Sequence, residues 1–149
     1  MTEPAPIVYL TRREHFCAAH RLWSEDLSPE ENRELYGPCA REYGHGHNYW
    51  LDVTLRGPVN PRTGVIINLR ELRDALAELI LEDVDQRHLN HDSPLCAGVN
   101  PTAENLAVLF WQVLAPRFGS LLYEVKVQET DKNYAVYRGE TTPDKKDPT

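Results

Sequence analysis

Two histidines one residue apart, in Gly44-His45-Gly46-His47, are the residues of this sequence whose type and spacing speak most directly of chemistry. On an extended segment, side chains at alternate positions leave from one face. His45 and His47 can therefore offer two imidazoles to one ion, and zinc accepts such nitrogens at about 2.0–2.1 Å. The neighbouring glycines let backbone and ligands approach closely. A catalytic zinc takes a third protein ligand and keeps one position open. His15, His20, His88 and His91 are the candidates for that third place. His20 closes the run Phe16-Cys17-Ala18-Ala19, whose alanines leave room beside it. His15 lies an odd number of residues away, so on an unbroken strand it faces the other side. His20, His45 and His47 are thus the expected zinc ligands. The plain alternative, a surface turn with incidental histidines, is weakened by the strand that follows directly and by the second strand-end histidine.

Cys39 stands just upstream. A thiol beside zinc or cationic imidazoles has a lowered pKa and can act as base or nucleophile. Alternatively, it closes a structural site as a fourth ligand. The chain has three cysteines, an odd number without a regular framework, so reduced thiols are expected. Cys17 and Cys96 read as packing residues.

The elements that must hold these groups follow from periodicity. Ile7 to Cys17 reads as a half-exposed strand that His20 ends. Ser24 to Pro38 reads as a polar insertion with one helical turn at Pro29–Leu35. From His47 to Arg56 the alternation is clear: His47, Tyr49, Leu51, Val53 and Leu55 point one way. After a Gly57–Gly64 turn, Val65-Ile66-Ile67 is expected to return as a short strand. Asn68 can cap a helix with Leu69, Leu72, Leu76, Leu79 and Ile80 as its apolar stripe. A loop spans Asn90 to Asn100. A second helix starts near Pro101-Thr102 and buries Leu106, Leu109, Phe110 and Val113. Strands Tyr123–Gln128 and Tyr134–Arg138 follow, joined by a turn at Thr130–Asn133. Thr141 to Thr149 is a polar tail expected to be disordered. The order β-β-α-α-β-β predicts an α+β fold: an antiparallel four-stranded sheet with two helices on one face.

The 149 residues suit a single domain, 1–149. The charge of −7, from 16 basic and 23 acidic residues, argues against nonspecific nucleic-acid binding. It leaves room for an anionic small molecule in a local basic cleft. No run approaches the roughly 20 apolar residues of a membrane helix. Met1-Thr2-Glu3-Pro4 lacks an apolar signal region, so a cytoplasmic location is expected.

A wider set of segments resembles the 6-pyruvoyl-tetrahydropterin synthase family. They include His20-Arg21-Leu22, Leu27-Ser28-Pro29-Glu30-Glu31-Asn32, Tyr36-Gly37-Pro38-Cys39 and Gly44-His45-Gly46-His47-Asn48-Tyr49. Asn60-Pro61-Arg62-Thr63-Gly64, Pro101-Thr102-Ala103-Glu104-Asn105 and Gln128-Glu129-Thr130-Asp131 extend the likeness from Phe16 to Glu140. The resemblance implies a tunnelling fold whose subunits join sheets into a barrel, usually a homohexamer made of two trimers, with sites between subunits. It implies a zinc-dependent lyase that converts 7,8-dihydroneopterin triphosphate to 6-pyruvoyl-tetrahydropterin with loss of triphosphate. His20, His45 and His47 would bind zinc, Cys39 would be the general base, and Glu129 would anchor the amino-pyrimidine edge of the pterin. Thr102 would supply a polar ring contact, or only cap its helix. Glu104 joins the substrate-binding candidates, or only complements the helix dipole. Arg21, Arg41 and Arg12 are candidate triphosphate partners.

The pattern breaks at one place. Where the family carries Asp-His to complete a triad with the cysteine, this chain reads Asp85-Gln86. Gln86 neither gives nor takes a proton at neutral pH. His88 is the candidate to take over that imidazole's role, alongside Asp85. The rival readings are a changed reaction, such as retro-aldol cleavage of the side chain, or slow turnover. The sister enzyme 6-carboxytetrahydropterin synthase, of queuosine biosynthesis, is the alternative on the same substrate. The spacing of Cys39 to Gly44 and the Glu129-Thr130-Asp131 ending lean to the pyruvoyl branch. A zinc- or pterin-binding protein without catalysis is the second alternative.

Overall fold

A computed structural model describes residues 3–143. The expected tail over 141–149 lies, from 144 onward, outside them. Strand β1 (Ile7–His20) and strand β2 (His45–Pro58) form a long antiparallel pair in which His20 stands opposite His45 and Ala18 opposite His47. Between them, helix α1 (Pro29–Tyr36) starts at Ser28, which exchanges hydrogen bonds with Glu31 in a capping box. A 3₁₀ turn, Gly37–Ala40, follows and carries Cys39.

Helix α2 (Leu69–Leu76) is capped by the Asn68 side chain, as expected, and runs through a π-helical segment, Ala77–Leu81, into a last turn, α3 (Glu82–Val84). Strand β3 (Arg87–His88), helix α4 (Ala103–Phe118), strand β4 (Leu122–Gln128) and strand β5 (Tyr134–Tyr137) complete the order. The sheet runs β3-β1-β2-β4-β5. Phe16, Tyr49, Leu51, Val53, Leu55, Val125 and Val127 on one sheet face share a core with Leu72 and Leu76 of α2, Ile80 of the π-helical segment, and Leu106, Phe110 and Leu114 of α4.

The α+β class holds, with four corrections. The sheet has five strands and is mixed, not four and antiparallel, because β3 pairs in parallel with β1 at Ala18 and Ala19. Two residues are too few to show alternation. Val65-Ile66-Ile67 forms no strand; the Asn60 amide closes a turn on the Val65 carbonyl instead. The insertion holds a full helix, α1, and in the α2 stripe Leu69 stays exposed while Leu72, Leu76 and Ile80 are buried.

Both sheet margins are open. Among the described residues, the backbone of β1 bonds along β2 only over 7–16, and Ile7 and Tyr9 are exposed there. Tyr134 and Val136 are exposed on β5 at the opposite margin. No helix among the described residues is long and apolar enough to cross a membrane.

Candidate metal centre and active site

Strand pairing alone brings three imidazoles together. His20 faces the core side with Phe16 and Ala18 and is completely buried. His45 and His47 leave β2 on the same face as buried Tyr49. His47 Nε2 lies 3.1 Å from His20 Nε2 and 3.1 Å from His45 Nε2. His45 Nε2 lies 3.0 Å from Cys39 Sγ. Ligand atoms of His20, Cys39, His45 and His47 all fall within 4.8 Å of one another. His15 faces the other side, against Trp50, as strand parity predicts.

Gly44 is required by this close pairing. Its φ is +70°, and a Cβ there would run into the His20 carbonyl. Gly46 is not so constrained, since a Cβ would meet only the Ala18 carbonyl at 3.8 Å. Cys39 is held in place by two bonds from the end of β1. The Leu22 amide donates to the Cys39 carbonyl at 2.8 Å, and Arg21 Nε donates to the Ala40 carbonyl at 3.1 Å.

The donor set fits a cation. Burial lowers the pKa of all three histidines, that of His20 to about 4, so they are neutral at pH 7. His20 Nδ1 stands 3.1 Å from the Pro101 carbonyl, which can only accept, so Nδ1 carries the proton and Nε2 presents a lone pair. Three neutral rings aimed at one point repel each other unless a proton or cation lies between them. Donors around a tetrahedral zinc would stand roughly 3.3 Å apart, close to the 3.1 Å separations here.

Glu129, just beyond β4, completes one wall. Its Oε1 lies 2.9 Å from His47 Nε2 and 3.5 Å from His20 Nε2. Burial raises its pKa, His45 lowers it, and the nearby charge of Glu104 raises it. Glu104 is exposed in the first turn of α4. Burial and the Glu129 charge raise the Cys39 thiol, so the protein groups alone hold it protonated. Thr102 caps α4, accepting from the Asn105 amide at 3.1 Å.

Asp85 precedes β3 and His88 ends it, where His88 lines a cavity with Gly46 and His47. The Asp85 carboxylate accepts from the Cys17 amide at 3.0 Å, and the Gln86 amide donates to the Cys17 carbonyl at 2.7 Å. Gln86 takes a left-handed φ of +62° to make this clamp. The His88 amide donates to Asp92 Oδ1, and His88 Nδ1 accepts from the Asn90 amide at 3.3 Å. Among the described residues, neither Asp85 nor His88 bonds to Cys39. Sequence reasoning gave no role to Tyr49, whose hydroxyl also lies 3.1 Å from His20 Nδ1. Its place two residues after His47 on the same strand face was the available signal.

A mixed sheet whose strand ends gather three neutral imidazoles, a thiol and a carboxylate defines a candidate metalloenzyme of the α+β class. A profile of the 6-pyruvoyl tetrahydropterin synthase family matches residues 9–140. The chain is 49% identical over 135 residues to a 6-pyruvoyl tetrahydrobiopterin synthase of Poecilia reticulata, covering 90% of this chain and 92% of that one. It is 45% identical to the human protein of that name, over 88% of this chain and 91% of the other. The solved 6-pyruvoyl tetrahydropterin synthase of Caenorhabditis elegans superposes with a TM-score of 0.85 at 40% identity, covering 91% of this chain and 98% of that one. The chain belongs to the 6-pyruvoyl tetrahydropterin synthase family, whose members are lyases.

Proposed function

We propose that this protein is a zinc-dependent lyase that converts 7,8-dihydroneopterin triphosphate to 6-pyruvoyl-tetrahydropterin and triphosphate. The observation that carries the reading is the convergence of His20, His45 and His47 beside Cys39 and Glu129. It occurs in a chain whose relatives are named for this product, which favours the pyruvoyl branch over the queuosine branch.

His20, His45 and His47 would hold the metal, leaving one position for substrate. A bound divalent cation supplies a Lewis acid that polarises the substrate's side-chain oxygens. The Glu129 carboxylate accepts from the amino-pyrimidine edge of the pterin and orients the ring, with Thr102 and Glu104 at the start of α4 beside it. Cys39, its thiol brought to the thiolate by a cation held at the three imidazoles, takes a proton from a side-chain carbon, triphosphate departs, and tautomerisation gives the product.

Asp85 and His88 would serve the Cys39 of a neighbouring subunit, in a homohexamer of two trimers in the cytoplasm. The open margins of β1 and β5 support that assembly, because a closed barrel covers sheet edges. Incubating the zinc-loaded protein with 7,8-dihydroneopterin triphosphate and weighing the products tests the reading. A carboxy product with release of acetaldehyde would move the chain to the sister enzyme. Tight pterin binding without turnover would leave a binding protein, the reading that Gln86 favours.

A further inference from the structure

Next to the histidine cluster lies a cleft of about 650 Å³ lined by Arg21, Trp23, Arg33, Ala40, Arg41 and Glu42, with Gly37 and Pro38 also on its lining. Sites for small ligands commonly measure roughly 300–1,000 Å³. Three guanidiniums share this wall in a chain whose net charge is −7. Among the described residues, none of the three has a carboxylate within ion-pair distance, although Glu42 lies on the same lining. Unneutralised arginines gathered in one concavity of an acidic protein are a local positive field, and guanidinium matches phosphate oxygens in pairs.

The cleft is built. The Arg21 guanidinium lies over the Trp23 ring, 4.1 Å from its centroid, and its Nε is tied to the Ala40 carbonyl at 3.1 Å. Arg33 projects from α1, and Arg41 leads out of the 3₁₀ turn. The cleft also borders the reacting groups. Cys39 lies between lining residues Pro38 and Ala40, Arg21 follows His20 directly, and the charge of Arg41 reaches His45.

We propose that the Arg21–Arg33–Arg41 cleft is a polyphosphate subsite that holds the triphosphate arm of the substrate while its pterin end lies at Glu129. This rests on the function proposed above. The arms of the substrate then diverge from the histidine cluster, the ring towards β4 and the phosphates towards α1. Positive charge beside the departing group also stabilises the negative charge that builds on it as its bond to carbon breaks.

Arg33 and Arg41 are exposed, so the R33Q/R41Q double variant keeps the fold. Titration of inorganic triphosphate into the zinc-loaded protein and into this variant reads the subsite directly. Any chelation of zinc by triphosphate is common to both proteins and cancels in the comparison. The expected result is binding by the parent that weakens with salt, and at least about tenfold weaker binding by the variant. KM for the triphosphate substrate should rise by a similar factor, while affinity for 7,8-dihydroneopterin, which lacks the phosphates, stays unchanged. Equal triphosphate binding by both proteins, none by the parent, or an equal loss for 7,8-dihydroneopterin overturns the subsite. The titration needs no turnover, so its outcome is separate from whether the lyase reaction is seen.

Discussion

The paired ends of β1 and β2 and the stretch 85–88 lie on the same sheet but treat their polar groups in opposite ways. At the first, regular register turns three imidazole nitrogens towards one point. At the second, a left-handed residue and a two-residue strand turn polar groups back onto the chain: the Asp85 carboxylate to the Cys17 amide, the His88 amide to Asp92 and His88 Nδ1 to the Asn90 amide. The first region is preassembled for a ligand from outside. The second is a clamp that fastens β3 to β1, and among the described residues neither Asp85 nor His88 is bonded to Cys39.

The comparison breaks hardest at His47, whose Nε2 touches both other rings. His47→Ala should reduce bound zinc from stoichiometric to trace and turnover to background, read by metal analysis of the purified protein. Retained stoichiometric zinc would move the centre elsewhere. Cys39→Ala should keep the metal and lower kcat by roughly 10²–10⁴-fold. His88→Ala measures the second region on the same scale. A loss matching that of Cys39→Ala makes His88 the substitute for the missing imidazole, and near-normal turnover leaves the stretch purely structural.

Acid sharpens the contrast without substitution. His20 titrates at about 4 in the folded protein against an ordinary 6.5. Between those values the unfolded chain binds a proton that the folded one does not. The metal-free protein should therefore lose up to about 3 kcal/mol as pH falls from 6.5 to 4, and regain it as pH rises. His45 and His47 act in the same direction, and Glu129, whose pKa is raised, acts against them. Urea unfolding across this range checks it; a flat profile would mean that His20 protonates freely in the fold. Smallest is Tyr49→Phe, which removes the hydroxyl beside His20 Nδ1 and should weaken zinc about tenfold. A competing chelator reads that affinity.

The same contrast explains what could be read in advance. Strand alternation picks His20 over His15 and puts His47 on the face of Tyr49, because parity survives any detail of packing. Caps at Asn68 and Thr102 are local and equally readable. The positive φ of Gln86, the parallel pairing of Arg87 and His88, and the exposure of Leu69 depend on neighbours far along the chain, so no local pattern announces them. Glu129 was legible as a site residue only through its family motif, and its approach to His47 comes from the β2–β4 pairing.

Gly44 sets a boundary for redesign. With no room for a Cβ beside the His20 carbonyl, this position cannot drift or be recruited to carry a new side chain. A library meant to retune the ion or its ligands has its freedom at Gly46, while every replacement at 44 would pry the two histidine-bearing strands apart.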